Sequence, residues 1–452
     1  MNPATNPVLE RRRAGVLLHV SSLPAGLGRG GRDFVDWLAS AGFSVWQILP
    51  LGPTGADGSP YWVRSDSAGN ARLIDPEEPA PLDSDEFRAF LEGSRDWLDD
   101  YAAFEVLSDL QHGAPWWTWP PEYRDRQSVP MDRLRREQAA ALRRVREQQF
   151  TFSWQWRRLH DHARSRGVYL FGDVPFYVAP DSAEAWSQRG QFRLDATGRA
   201  TAVAGVPPDY FSELGQLWGN PLYDWEAMRR DGFRFWLARI QHQLQRVDLL
   251  RIDHFRALAE HWAVPAGAPD ARGGSWQPSY GREMLQTLRS RYGPPPVVAE
   301  DLGVITPDVE ALRDDFGLAG MRVMQFGFDG KGDNLHLPHM YPRTSVAYTG
   351  THDNDTTAGW YRGLDAETRG RVDFFLRAAA EQMPQAMIHA LLGSVAQLAV
   401  VPMQDVLGLG SEARLNTPGT ASGNWTWRLP AHALDPALAQ RFAHLNRVFG
   451  RV

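Results

Sequence analysis

Three short segments pass from apolar to acidic. They are VDLLRIDHFR (247–256), PVVAEDL (296–302) and SVAYTGTHD (345–353), and their carboxylates are Asp253, Glu300 and Asp353. In an extended strand alternate side chains share a face, so Leu249, Arg251 and Asp253 point one way and Leu250, Ile252 and His254 the other. A guanidinium beside a carboxylate favours the ionised form, which suits a nucleophile or an electrostatic stabiliser rather than a proton donor. A lone Arg-x-Asp is more often a structural ion pair, but here two further strands of the same design follow it. Glu300 has no adjacent Arg and closes an apolar strand, where desolvation raises a carboxyl pKa and keeps a proton available near neutrality.

Two carboxylates about 5 Å apart, one attacking a carbon and one protonating the leaving oxygen, are the equipment of a retaining glycosidase. Asp253 fits the attacker and Glu300 the acid and base. Asp353 then stabilises a cationic sugar ring or grips its hydroxyls, with His254 and His352 as nearby donors. The rival from the same residues is a divalent metal held by His19, Asp253, His254, His352 and Asp353. No H-x-H or H-E-x-x-H spacing supports it, and each His alone is more often a hydrogen-bonded structural group. Neither metal nor cofactor is expected.

Such residues need a scaffold that gathers strand ends. GVLLHV from Gly15 is a first buried strand, 33–40 a helix, and SVWQILPLG a second strand, which requires a crossover and a parallel pair. Residues 53–166 are too many for a loop, and are expected to form a mostly helical inserted subdomain that returns through a long helix over 131–166. GVYLFGDVPFYV (167–178) is the third strand. A second insertion, 179–246, carries the Pro- and Gly-punctuated stretch 205–225, expected to be an active-site loop. Its Pro207 and Pro208 would stiffen the backbone, while Tyr210, Phe211 and Trp218 would offer apolar surface to cover a sugar ring and exclude water. Helix 233–246 leads into the fourth strand, 247–255. PVVAEDL, MRVMQFGF, SVAYTGTHD and QLAVVPMQD make the fifth to eighth, with helices at 309–316 and 365–382 between them. Eight buried strands separated by helices predict a closed (β/α)8 barrel, whose active site lies at the carboxyl ends of the strands. An open doubly wound sheet is the alternative, but no G-x-G-x-x-G follows any strand.

The 452 residues and 43% hydrophobic content suffice for one elaborated barrel or two to three domains. A net charge of -6 without a basic stripe argues against nucleic acid. No apolar run is long enough for a signal peptide or a membrane span, so the cytoplasm is the default compartment. The absence of Cys excludes disulfides and a thiol nucleophile, and the single lysine, Lys331, lies in the turn-like DGKGDN, which leaves Schiff-base or phosphate-loop chemistry improbable. The 18 Trp fill cores, but indole faces also suit sugar-binding surfaces.

Longer motifs carry a resemblance. GVLLHVSSLP, WQILPLGPTG, SPY with AGN, GAPWW, GDVPFYVAPDSAEAW, AGVPPDYFSELGQLWGNPLYDW, RIDHFR, AEDLG, YTGTHDND and RLNTPGT with GNWTWR span nearly the whole chain. In these it resembles the amylomaltases, the 4-α-glucanotransferases of glycoside hydrolase family 77. The resemblance implies a barrel without a separate C-terminal β-domain, and Asp253, Glu300 and Asp353 as nucleophile, acid/base and transition-state stabiliser. It further implies sugar contacts from Tyr61, Asp173, Asp209, Gln216, Trp218, Arg251, His254 and His352. The expected activity moves α-1,4-glucan segments from a donor to glucose or another maltooligosaccharide, through a covalent intermediate. A hydrolase of the same glucans and a non-catalytic glucan-binding protein are the alternatives. The departures are Trp62, Val63 and Arg64 after SPY, Ala257 after RIDHFR, and Gln-Pro-Ser-Tyr-Gly after Trp276. They bear on donor length, acceptor preference and product size. Oligomeric state is left open.

Overall fold

The computed structural model describes residues 6–208, 212–420 and 422–452. Its centre is a parallel sheet built from eight of the twelve strands. In chain order the strands are β1 (Arg13–Leu17), β2 (Val45–Gln47), β3 (Tyr169–Val174), β4 (Ala202–Val206), β5 (Gln216–Pro221), β6 (Leu249–Ile252), β7 (Glu260–Pro265), β8 (Ser275–Pro278), β9 (Val297–Ala299), β10 (Gly320–Val323), β11 (Ser345–Tyr348) and β12 (Leu398–Pro402). The sheet runs β10-β11-β12-β1-β2-β3-β6-β9. A parallel bridge between Val298 and Ala319 joins β9 to the start of β10 and closes the ring. This is the expected (β/α)8 barrel.

Side-chain alternation divides each strand between two cores. Leu17, Val45, Phe171, Leu249, Val298 and Val346 point inward and pack with one another. Val16, Trp46, Leu170, Leu250, Val297 and Ala347 point outward into the larger core under the helices. Strands this short and this buried are apolar on both faces, as parallel barrel strands must be. Gly15 permits the close approach of β1 to β2, since a Cβ there would stand 2.9 Å from the Val45 carbonyl oxygen.

The strands stop earlier than the sequence suggests. The expected fourth strand ends at Ile252 and the seventh at Tyr348, so Asp253 and His352–Asp353 sit in the turns beyond. Past the strand end only single backbone bonds continue, from the Asp253 N–H to the Val174 carbonyl at 3.0 Å and from the Phe255 N–H to that of Glu300 at 3.2 Å, and the polar residues turn over the mouth.

Between β2 and β3 lie helices Asp85–Gly93, Arg95–Leu110, Ser128–Glu137 and Ala139–Ser165. The single helix expected over 131–166 is therefore two, broken where Gln138 leaves the helical basin (φ -107°, ψ 22°). The helix expected over 365–382 is capped by Asp365 as anticipated but ends at Leu376.

The 205–225 stretch differs most from expectation. Two parts of it, 205–206 and 216–221, are strand: β4 and β5 pair antiparallel, and with β7 and β8 form a four-stranded sheet, β5-β4-β7-β8, beside the barrel mouth. Pro and Gly, which in the sequence signal a loop, here sit in a hairpin: Gly205 faces the Gln216 carbonyl, 2.4 Å from where its Cβ would lie. Tyr210 and Phe211 lie outside the described residues. No helix among the described residues is long and apolar enough to cross a membrane.

Candidate active site

The inward parity that places Leu249 and Phe171 in the barrel core continues to Arg251 and Asp173, one layer higher. Arg251 is almost fully buried and forked between two carboxylates: Nη1 is 2.6 Å from Asp173 Oδ2 and Nη2 is 2.7 Å from Asp253 Oδ1. Tyr61 donates its hydroxyl to the same Asp173 oxygen at 2.7 Å. Burial of Asp173 raises its pKa, opposed by the Arg251 charge. Arg251 itself is held well above its ordinary value, because Asp173 and Asp253 outweigh its desolvation. The ion pair inferred from spacing alone is therefore present, with a second acid added from β3.

Glu300 follows β9, the strand next to β6. The register pairs Ile252 with Ala299, so Asp253 and Glu300 leave neighbouring strands at the same height. Adjacent strands lie about 4.8 Å apart, so the two acids start from neighbouring points on the barrel rim. Each Glu300 oxygen accepts a backbone N–H, Oε1 from Leu302 at 2.9 Å and Oε2 from His254 at 2.7 Å. Burial dominates nonetheless. With help from the Asp253 charge and against Arg251, it pushes the Glu300 pKa up to about 7.

His254 stands between the two acids with φ 48°, a left-handed conformation that a non-glycine residue adopts only where its surroundings hold it. That turn aims its N–H at Glu300. Its ring packs edge-on against Trp218, with centroids 4.7 Å apart, and burial lowers its pKa to about 4. A neutral imidazole results. Its Nε2, like Asp173 Oδ1, has no hydrogen-bond partner among the described residues.

Asp353 lies across the mouth and accepts from Asn416 Nδ2 at 2.6 Å, while Arg414 donates to its carbonyl at 2.7 Å. His352 Nε2 is 3.4 Å from Asp353 Oδ1, and its ring stacks on Tyr61 at 5.0 Å. Asp253, His352, Asp353, Tyr61 and Trp218 share one groove of about 830 Å³, walled on the far side by 416–420 and 422–426 with Trp425. Its size suits a ligand of several rings.

The structure thus gathers Asp253, Glu300, Asp353, Tyr61, Asp173, Arg251, His254, His352 and Trp218. Gln216 is exposed on β5 and accepts from the Trp218 indole at 3.1 Å, so it braces a groove residue. Asp209 lies outside the described residues. Sequence reasoning did not assign Arg414, Asn416, Trp425 or Tyr177, the last also a groove residue. The first three stand within RLNTPGT and GNWTWR, motifs that were visible without a role. Among the described residues no group of His, Asp and Glu is arranged to hold a metal ion.

Residues 18–81 and 79–434 match the family described as 4-alpha-glucanotransferase, Glyco_hydro_77. The chain belongs to glycoside hydrolase family 77. The 4-alpha-glucanotransferase of Thermus thermophilus is 44% identical over 94% of this chain and 96% of its own. That of Synechocystis is 40% identical over 98% and 99%. Among solved structures, the amylomaltase from Streptococcus agalactiae in complex with acarbose superposes with a TM-score of 0.93 at 31% identity, covering 98% of this chain and 100% of that one. The alignment with the Thermus relative runs over 483 positions, more than the 452 residues here, and the two matched segments of the family overlap at 79–81.

Proposed function

We propose that the chain is a retaining 4-α-glucanotransferase acting on α-1,4-glucans and maltooligosaccharides in the cytoplasm, with the barrel as catalytic unit and 53–166 and 179–246 as insertions that shape its mouth. The observation that carries the mechanism is the contrast between two adjacent acids: Asp253 held by Arg251, and Glu300 raised to about 7 by burial. In the first step Asp253 attacks the anomeric carbon while Glu300 gives its proton to the departing glycosidic oxygen. A glycosyl ester on Asp253 and a shortened glucan result. In the second step the Glu300 carboxylate takes the proton from an acceptor hydroxyl, whose oxygen attacks the same carbon and frees Asp253. Each acid returns to its starting state, and the anomeric configuration is retained.

Asp353 carries little else to do, being held by Asn416 and His352 at the groove wall, and it suits charge stabilisation of the oxocarbenium-like ring. The unpartnered Asp173 Oδ1 and His254 Nε2 suit sugar hydroxyls, which supply both donors and acceptors. Water is the competing acceptor, so transfer requires a positioned sugar and a covered groove. Trp218, Tyr61 and Trp425 offer the apolar faces for that.

Incubation with maltotriose tests the reading. Chains both shorter and longer than three glucoses, without a matching rise in reducing ends, are expected. New reducing ends in proportion to the bonds broken would make it a hydrolase, and no change in chain length would leave only binding.

A further inference from the structure

Arg251 has a third partner besides its two carboxylates. Side chains of alternate strands meet in the layers of a barrel core, and β6 and β10 are alternate, with β9 between them. Met321 of β10 is only 1% exposed and packs inside the barrel with Ala319 and Val323. Its Sδ accepts the Arg251 Nε–H at 3.3 Å. Nη1 and Nη2 go to Asp173 and Asp253, so each nitrogen of the buried guanidinium has a partner. The backbone of the same methionine reaches toward the other acid. Its N–H donates to Asp301 Oδ1 at 2.6 Å, and Asp301 follows Glu300 directly. Gly320 allows that approach, since a Cβ there would stand 2.4 Å from Asp301 Oδ2.

A thioether is a weak, neutral acceptor on a flexible, polarisable chain. It takes a buried N–H that would be costly to leave unpaired, and it adds no charge. Two carboxylates already share one guanidinium. A third acid here would draw Arg251 away from Asp253 and add to the negative charge beside Glu300. Leu would fill nearly the same volume and strand the donor.

We propose that Met321 is a positioning residue for bond cleavage: its sulfur fixes the remaining edge of Arg251, and through it Asp253, while its N–H fixes the turn after Glu300. Both acids are thus set from one residue of β10. The inference rests on the reading of Asp253 as nucleophile and Glu300 as acid and base. Met321 does not line the groove, so its influence on the reaction passes through Arg251 and Asp301.

The test compares the wild-type chain with Met321→Leu and Met321→Gln, reading kcat and KM from the loss of maltotriose well below each melting temperature. Leu keeps the volume and removes the acceptor, whereas Gln puts back an acceptor oxygen at similar reach. In the Leu chain kcat is expected to fall about tenfold or more, with KM within about twofold of wild type. The Gln chain is expected to be at least about threefold faster than the Leu chain, although an amide buried in an apolar layer lowers its melting temperature below that of the Leu chain. Activity and stability then run in opposite order, which a side chain that merely packs does not produce. A Leu chain with kcat within about twofold of wild type overturns the proposal, and so does a Gln chain no faster than the Leu chain. Should Leu not fold, Ile, which also lacks an acceptor, takes its place. Should Gln not fold, the Leu chain decides, and a KM that rises as far as kcat falls overturns the proposal. A wild-type chain that only hydrolyses maltotriose refutes the transferase reading alone, since hydrolysis and transfer share the step that Met321 serves.

Discussion

At Asp253 charge and shape can be separated by one atom. Asp253→Asn keeps the hydrogen-bonding outline but removes the nucleophile and the partner of Arg251 Nη2. The expected outcome is a loss of kcat of at least about a thousandfold with an unchanged circular dichroism spectrum and melting curve. Full activity would overturn the assignment. Glu300 sets the pH dependence. The bond-breaking step needs its proton, and its pKa is raised to about 7. A proton donor of that pKa is competent below 7 and is lost as pH rises through it. The glycosylation limb of kcat/KM is therefore expected to fall on the alkaline side near pH 7. Measuring the profile with an activated donor, whose leaving group needs no proton, should flatten that limb; an unchanged limb would point to another group. The residue types behind these roles are open to a reader of the sequence, whereas the register that sets the two acids side by side belongs to the barrel.

The loop that carries His352 and Asp353 owes its shape to a different acid. Asp405, fully buried after β12, accepts from the Thr349 hydroxyl at 2.7 Å and from the Thr357 N–H and hydroxyl at 2.7 and 2.6 Å. It spans the two ends of the 349–357 turn. Asp405→Ala strands three donors and is expected to cost about 2–4 kcal/mol in denaturant unfolding. It should also lower kcat, because Asp353 loses its support. Stability lost with kcat intact would show that the turn holds itself. A backbone counterpart lies at Gly69, where a Cβ would come within 2.0 Å of the Phe152 ring on helix Ala139–Ser165. Gly69→Ala is expected to destabilise by about 1–3 kcal/mol through overpacking, and Phe152→Leu in the same chain should restore part of it. QLAVVPMQD ends in a carboxylate just as the three catalytic segments do, so sequence alone does not mark Asp405 as structural. Only its three donors do.

The whole barrel is tied shut where the chain begins and ends. Arg451, with no exposed surface, donates to the carbonyls of Leu392, Ser394, Ala396 and Arg13 at 2.7 to 3.0 Å, joining β1 to the segment before β12. Arg451→Ala leaves those acceptors buried and is expected to cost about 3 kcal/mol or more in unfolding free energy, with little effect on KM. A melting curve that does not move would place the closure elsewhere. At the same scale, a neutral glucan meeting a chain of net charge -6 has little electrostatic steering to lose. Transfer rates are expected to be unchanged by exhaustive chelation and nearly unchanged between low and moderate salt. Chelator-sensitive activity restored by a divalent ion would revive a metal mechanism.

The eight barrel strands were legible because buried parallel strands must be continuous apolar runs, and the acids at their ends because polar residues there have nowhere to go but the mouth. The Arg251–Asp253 pair followed from a two-residue repeat. Other features belong to the tertiary structure, because they depend on what lies opposite. Asp173 joins Arg251 only through the β3–β6 register. Gln216 braces Trp218 because 216–221, whose Gly and Pro are turn signals in isolation, is the strand β5 paired with β4. Asn416 and Arg414 reach Asp353 from 61 or more residues away along the chain. The raised pKa of Glu300 is likewise settled by burial rather than by residue type, and burial is a property of the closed ring.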